Sequence, residues 1–188
     1  TEPDNRWQPH TRTPEQHPEA ALKRLGVKPE NITTVVLTHL HWDHAGNNDL
    51  FPNATFYVQK QELEEAENPP VKIFAGSYDR EEIFKTRYMT LDGDSQIMDG
   101  IRVITTPGHT LGSQSVVVDT EAGPHIIAGD LIGLLECYEH DPMFVNGIHI
   151  DLRDYFASLE RVKAIGGVVL PGHDYRVFEH DVYPAEKV

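Results

Sequence analysis

Four turns in this sequence each follow a predicted β-strand and carry side chains of the kinds that bind metal ions. The candidate ligands are His39, His41, Asp43, His44, His109, Asp130 and His173. Imidazole nitrogens and carboxylate oxygens are common ligands of zinc, cobalt, manganese and iron ions. A cation held in this way lowers the pKa of a bound water, so these residues predict metal-assisted hydrolysis.

The first of these turns is the most informative, because it holds four of the seven candidates in the order His-x-His-x-Asp-His. In an extended stretch alternate residues share a side, so His39, His41 and Asp43 could point together. His44 points elsewhere unless the chain turns, which the following Ala45-Gly46 would permit. Seven ligands exceed the needs of one tetrahedral ion, and they fit two neighbouring cations with open positions for water and substrate.

Strands and helices alternate along the chain and predict an α/β layered fold. β-branched and apolar runs predict strands over residues 32–38, 55–58, 101–106, 114–119, 125–128 and 168–170. Helical spacing predicts helices over residues 19–25, 59–68 and 151–165, whereas residues 71–94 are assigned only to loop and short helix. Asp151 is expected to cap the last helix, whose apolar stripe is assigned to the core. Pro-Gly turns before His109 and His173 can swing each imidazole into a cleft.

The composition excludes several classes of protein. The 188 residues suit a single domain, 1–188, and 16 basic against 30 acidic residues give a formal net charge of −14. Such a surface repels a phosphate backbone, so we expect no nucleic-acid partner. No run of about 18 apolar residues exists, so we expect no membrane span. The single cysteine, Cys137, cannot form an internal disulfide, which is consistent with a reducing compartment and leads us to expect a cytoplasmic protein.

The order and spacing of the candidate ligands resemble those of the metallo-β-lactamase superfamily, and most closely its N-acyl homoserine lactonase branch. The resemblance runs from about Gly26 to His173 and includes the stretches Leu-Thr-His-Leu-His-Trp-Asp-His-Ala-Gly-Asn, Thr-Pro-Gly-His-Thr-Leu-Gly-Ser-Gln-Ser and Leu-Pro-Gly-His-Asp. It implies an αβ/βα sandwich with two divalent metal ions at one edge. Zinc is the expected metal, with cobalt, manganese or iron as the alternatives. By this resemblance the first ion would be held by His39, His41 and His109 and the second by Asp43, His44 and His173, with Asp130 bridging both.

The chain departs from that family at two places. The family fold begins with several strands ahead of the helix that ends here near Leu25. Those strands are missing from this sequence, so we expect the natural protein to have an N-terminal portion outside this chain. Lactonases of the branch also place a tyrosine three residues after the bridging aspartate, where it can assist at the substrate carbonyl. Gly133 occupies that place here, and Tyr138 is nearby in the sequence.

The function that the resemblance implies is hydrolysis of a lactone ring, with N-acyl homoserine lactones as the expected substrates. Hydroxide formed between two cations would attack the ester carbonyl, and Asp43 could carry the proton to the leaving alkoxide. Other hydrolyses of the same fold stay open: a thioester of the glyoxalase II type, a β-lactam or an organophosphate. A homodimer and an N-terminal fragment of the same protein are also left open as partners.

The sequence argues against two other classes of enzyme and leaves a binding protein open. An oxidoreductase of the flavodiiron type usually has a glutamate where His41 stands, and it needs a flavin domain that this sequence lacks. A nuclease would need a basic face, which the net charge of −14 argues against. A non-catalytic binding protein stays open if the absent strands leave the centre incomplete.

Structural explanations are favoured for the other residues of interest. Leu40 and Trp42 are assigned to packing, His125 to a structural position and Cys137 to a buried one. His149 is a candidate for the cleft wall, although a structural role is favoured. Surface positions are expected for His10, His17, His140 and His180, and a solvated helix face for Glu62, Glu64, Glu65 and Glu67.

Overall fold

The computed structural model describes residues 13–145, 147–180 and 182–183, which form two β-sheets and six α-helices. The strands are β1 Thr34–Val36, β2 Thr55–Gln59, β3 Tyr88–Leu91, β4 Ser95–Met98, β5 Ile101–Thr105, β6 Gln114–Thr120, β7 Gly123–Gly129 and β8 Val168–Pro171. The helices are α1 Pro18–Arg24, α2 Trp42–Ala45, α3 Lys60–Glu67, α4 Arg80–Ile83, α5 Leu135–Glu139 and α6 Leu152–Ile165. Across these ranges no helix has the length and apolar character that a membrane crossing requires. His10 lies outside the described residues.

The first sheet consists of three parallel strands in the order β1-β2-β3. Parallel neighbours need a crossover connection, and α3 and α4 lie in the one that joins β2 to β3. A buried cluster joins this sheet to the helices, with Phe56 and Val58 from β2, Ala66 from α3 and Ile83 from α4. Packing of this cluster fixes the carboxyl end of β1, where the chain passes directly into the His39–His44 motif.

The second sheet has the order β4-β5-β6-β7-β8 and is antiparallel except for the last pair, β7 and β8. Helix α6 lies in the crossover between these two strands, and it buries Tyr155, Leu159 and Val162 against the sheet. The Asp151 carboxylate accepts hydrogen bonds from the Arg153 and Asp154 N–H groups, which is the predicted cap. The helix therefore fixes the ends of β7 and β8, beyond which Asp130 and His173 lie.

Glutamine side chains join the two sheets at one edge. The Gln114 N–H, at the start of β6, donates to the Thr38 carbonyl at 2.9 Å, and its side-chain Nε2 donates to the Leu37 carbonyl at 2.8 Å. Gln59 at the end of β2 donates to Gln114 Oε1 at 2.8 Å. Both glutamines are buried, so these bonds satisfy polar groups that would otherwise be costly there. They align the strand ends that precede the candidate ligands.

The α/β fold predicted from the sequence is confirmed, but the assignment of residues 71–94 was wrong at Tyr88–Leu91. That stretch is β3, and β4 at Ser95–Met98 was not predicted. Neither strand contains a fully buried residue, so neither shows the apolar pattern that identified the other strands. His140 and His180 are exposed and Cys137 and His125 are buried, as expected, whereas His17 is half-buried.

Two helix assignments also need correction. The apolar stripe of α6 is not all core, because Leu152 and Phe156 are 48% and 37% exposed. Phe156 lies about 100° around the helix from the buried Tyr155, so it cannot face the same sheet. In α3, Glu62 and Glu65 do not belong to a solvated face, since their exposed fractions are 0% and 3%.

Candidate metal centre

All seven candidate ligands lie at the edge where the two sheets meet. The turn after β1 provides four of them, and the turns after β5, β7 and β8 provide His109, Asp130 and His173. The ligand atoms form two groups, in each of which all atoms lie within 4.8 Å of one another. The first group is His39, His41 and His109, and the second is Asp43, His44, Asp130 and His173.

The first group is a set of three buried imidazoles. The carbonyl of Ile148 accepts a hydrogen bond from Nδ1–H of His109 at 2.9 Å, which directs Nε2 of that ring towards its neighbours. That Nε2 lies 3.0 Å from Nδ1 of His41. Burial lowers the pKa of His109, lowers the pKa of His41 to about 3, and holds that of His39 well below its usual range. All three rings are therefore neutral at physiological pH, the form in which imidazole binds a cation.

The second group is charged and more exposed. The Nε2 atoms of His44 and His173 lie 3.1 Å and 3.0 Å from Oδ1 of Asp130, and 3.5 Å and 3.4 Å from Oδ2 of Asp43. Burial opposes a charge on His44, but the two carboxylates outweigh it and raise its pKa to about 10. Asp130 likewise raises the pKa of His173. Both carboxylates resist protonation despite burial, because the facing histidines lower the pKa of Asp43 and hold that of Asp130 well below its usual range.

Asp130 lies between the two groups. Its Oδ1 faces the second group, whereas its Oδ2 lies 3.5 Å from Nε2 of His109 and 3.9 Å from Nε2 of His39. The side chain is 13% exposed, so little water competes for these oxygens. A carboxylate with one oxygen towards each of two ligand groups can bridge two cations.

The local backbone explains how the first turn divides its ligands. Helix α2 begins at Trp42 with His41 as its N-cap residue, so the extended conformation ends there. The expectation that Asp43 shares a side with His39 and His41 is therefore wrong, because Asp43 lies with His44 in the second group. Alternation holds only for the two histidines that precede the helix.

Glycines at the other turns allow close approaches. A Cβ on Gly108 would lie 2.3 Å from Cα of Tyr155, and the residue has φ +133°, which other residues rarely adopt. A Cβ on Gly172 would lie 2.7 Å from Oδ1 of Asp130. The N–H groups of Gly172 and His173 donate to the carbonyls of Ile132 and Gly133 at 3.0 and 2.9 Å. The β8 turn is therefore held against the segment that carries Asp130.

The donor set fits divalent cations. Nε2 of His39 is buried and has no hydrogen-bond partner among the described residues, although it lies near Oδ2 of Asp130. A buried nitrogen lone pair without a donor is costly, and a cation between the three imidazoles would satisfy it. Nitrogen and carboxylate oxygen ligands suit zinc, cobalt, manganese and iron. The two groups therefore have the chemistry of a dinuclear site.

A cleft of about 300 Å³ opens onto this centre. Its walls are formed by His41, Trp42, Asp43, Ser77, His109, Asp130, Leu134, Ile148 and His173. Trp42 thus lines the cleft, whereas Leu40 is fully buried as expected. His149 is not among the lining residues, and its ring lies 6.2 Å from that of Tyr155. Leu134 and Ile148 lie on other loops and Ser77 ends the 3-10 helix Lys72–Ser77, and no sequence pattern marks these three residues.

No tyrosine is among the described residues that line this cleft. Gly133 lies at the end of the short helical turn Asp130–Ile132 and is buried. Tyr138 packs instead against the buried cluster of the second sheet, together with Leu135. Tyr138 therefore does not replace the tyrosine that the family usually has at the position of Gly133.

Comparison with known proteins identifies the class. Residues 7–173 match the model of the metallo-beta-lactamase superfamily, and the chain belongs to that superfamily. The resemblance seen in the sequence is thereby confirmed, and with it the expectation of a metal-dependent hydrolase fold.

Individual proteins of known sequence or structure are also similar to this chain. An N-acyl homoserine lactonase of a Bacillus species is 32% identical over 163 residues, which are 86% of this chain and 60% of that protein. A probable metallo-hydrolase of Methanocaldococcus jannaschii is 30% identical over 84% of this chain and 64% of its own length. The structure of Bacillus thuringiensis AiiA with N-decanoyl-L-homoserine at its active site has a TM-score of 0.75 and 30% identity, over 92% of this chain and 68% of that one. The chain thus spans 60% of the length of the Bacillus lactonase that it matches.

Proposed function

We propose that this chain forms the dinuclear metal centre of a hydrolase that opens the ring of N-acyl homoserine lactones. The observation that carries the proposal is the position of Asp130, whose two oxygens face two separate ligand groups. The similar lactonases support the substrate class, and one similar structure holds the product N-hexanoyl-L-homoserine at its catalytic metal centre. Because the chain spans only part of those relatives, their activity is carried over here as a proposal.

The proposed ligands follow from the two groups. The neutral imidazoles of His39, His41 and His109 would hold the first ion without any change of protonation. The second ion would be held by Asp43, His44 and His173, with Asp130 shared between both. We propose zinc for both positions, since nitrogen-rich sites with some carboxylate favour it, although cobalt, manganese and iron accept the same ligands.

Two divalent ions bound here would lower the pKa of a shared water towards neutrality and stabilise negative charge on a carbonyl oxygen. Asp43 is the proposed proton carrier. Its carboxylate lines the cleft and is 27% exposed, so it can meet both substrate and solvent. His44 holds the pKa of Asp43 below its usual value despite burial, so the group is ionised near neutral pH and could take up the proton of the attacking water. It can pass that proton to the alkoxide that leaves when the ring opens.

The cleft has the polarity that a lactone with an acyl chain requires. Its lining combines charged residues of the second group with the apolar side chains of Trp42, Leu134 and Ile148. An ester carbonyl would lie near the charged groups while a hydrocarbon chain contacts the apolar side chains. The volume of about 300 Å³ accommodates a small substrate.

The proposal is tested by metal content and a substrate panel. Elemental analysis of the purified chain should give two divalent ions per molecule, and a chelator that removes them should abolish turnover. A pH-stat assay should detect acid release from homoserine lactones of several chain lengths, in preference to a thioester, a β-lactam or an organophosphate. If the chain binds two ions but prefers another member of the panel, the proposed substrate class is wrong and the proposed dinuclear centre stands. Failure to bind any divalent ion would reject the centre itself.

A further inference from the structure

Two glutamates of α3 lie directly behind the first ligand group. Glu62 is completely buried and Glu65 is 97% buried (relative exposure 3%), although neither faces an arginine or lysine in the described residues. Burial of a carboxylate is costly unless hydrogen bonds satisfy its oxygens. The donors of those hydrogen bonds therefore show which parts of the structure the two buried carboxylates connect.

Each oxygen of Glu62 contacts a different ligand-bearing turn. Oε1 accepts a hydrogen bond from the N–H of Leu40 at 2.8 Å, and Leu40 stands between His39 and His41. Oε2 accepts one from the hydroxyl of Thr110 at 2.6 Å, and Thr110 directly follows His109. A single carboxylate is thus hydrogen-bonded to a sequence neighbour of each of the three imidazoles of the first group.

Neighbouring groups strengthen this connection. Oε2 of Glu65 accepts a hydrogen bond from the N–H of Leu111 at 2.5 Å, also in the turn after β5. A Cβ on Gly112 would lie 2.1 Å from the backbone nitrogen of Glu62, so this turn packs directly on α3. The ring of Tyr78 lies 5.0 Å from that of His41, and burial together with the two carboxylates raises the pKa of its phenol.

We propose that Glu62 is a positioning residue for the metal centre: it fixes the turns that carry His39, His41 and His109 so that the first ion meets a preformed set of imidazoles. The inference rests on the proposed dinuclear centre. Partners behind the direct ligands orient those ligands, and their loss typically reduces metal affinity by about 10- to 100-fold. Glu65 and Thr110 contribute to the same connection on the His109 side.

The test compares three variants of the full chain. Glu62→Leu removes both acceptors, and Glu62→Gln keeps an acceptor for Leu40 while the Thr110 hydroxyl can turn to accept from the amide. Glu64→Leu, on the exposed face of the same helix, is the matched control. Cobalt and zinc affinities of the chelator-treated proteins are measured by competition with a chromophoric chelator. The cobalt absorption spectrum and the melting temperature of the metal-free proteins are measured alongside.

We expect Glu62→Leu to bind the first ion at least about 10-fold more weakly and with an altered cobalt spectrum, while Glu62→Gln stays within about 3-fold and Glu64→Leu is unchanged. The metal-free melting temperature of Glu62→Leu should fall only modestly, because removal of a buried carboxylate offsets the cost of leaving the Leu40 N–H and the Thr110 hydroxyl without their acceptor. Unchanged affinity and spectrum, or a loss of affinity that only follows a loss of folding, would overturn the inference. If Glu62→Leu does not fold, the inference requires that Thr110→Val lowers the affinity for the first ion and that Thr110→Ser, which keeps the hydroxyl, retains it. Absence of metal from the unmodified chain would instead reject the proposed centre.

Discussion

Nε2 of His44 lies 3.1 Å from Oδ1 of Asp130, in the ligand group where the proposed function places the second cation. Burial alone would lower the pKa of His44, but Asp130 and Asp43 raise it to about 10. The first group shows the opposite, because burial keeps its three imidazoles neutral. An ion that binds the second group must therefore displace a proton, whereas an ion that binds the first group meets imidazoles that are already neutral.

We expect binding of the second ion to release protons, whereas binding of the first should not. Near pH 7, His44 is protonated before the ion binds, and Asp130 raises the pKa of His173 as well, so about one to two protons should leave per second ion. Affinity for that ion should then rise by about tenfold or more per pH unit. Calorimetric titration in two buffers of different ionisation enthalpy measures the protons released. Equal, negligible release at both steps would contradict the assignment of His44 and His173 as ligands.

Replacement of a ligand in the first group should remove one ion. His109→Ala leaves His39 and His41 without their third partner, so we expect metal content to fall from two ions to about one and turnover to fall by about 10³-fold or more. Elemental analysis and the pH-stat assay measure the two quantities. His140→Ala, at an exposed position, is the control and should retain both. An unchanged metal content in His109→Ala would show that His109 is not a ligand.

Gly108 should be intolerant of a side chain because its Cβ position is already occupied by the backbone of Tyr155. We expect Gly108→Ala to lower the free energy of unfolding by about 3 kcal/mol or more and to weaken metal binding through His109. Gly123→Ala is the matched control, since Gly123 also has positive φ, at +102°, but has open space around it. That variant should lose only about 1 kcal/mol. Urea unfolding of both variants separates backbone strain from steric overlap, and similar losses would show that the contact with Tyr155 is unimportant.

The candidate ligands could be found from the sequence because each one depends on local structure. His109, Asp130 and His173 each lie within a few residues of the end of a strand, in a short turn. Such strand-and-turn patterns are visible in the sequence. The short strands β3 and β4 were missed because their residues are at most half-buried, and the partner of β3, strand β2, is also distant in the sequence. Pairing with other strands, rather than an apolar pattern of their own, determines them.

The role of Glu62 and Glu65 could not be read from their neighbours. Four glutamates within six positions of a helix are typical of a solvated face. The groups that donate hydrogen bonds to the Glu62 carboxylate, the Leu40 N–H and the Thr110 hydroxyl, come from turns far away in the sequence. Burial of a charge by distant hydrogen-bond donors is a tertiary property.

The last prediction concerns the pH dependence of stability. Burial, opposed by the hydrogen bond from Thr110 and aided by Glu65, raises the pKa of Glu62 from 4.5 to about 7. The folded chain thus holds this proton more tightly than the unfolded chain, so its stabilising contribution is complete below pH 4.5 and is lost as the pH rises through 7. Glu62→Gln cannot ionise, so its free energy of unfolding relative to the unmodified protein should increase by about 2 kcal/mol between pH 5 and pH 8. Urea unfolding of the metal-free proteins at both pH values measures this difference, with Glu64→Gln as the control. A difference that stays constant with pH would show that Glu62 is already ionised in the folded protein at pH 5.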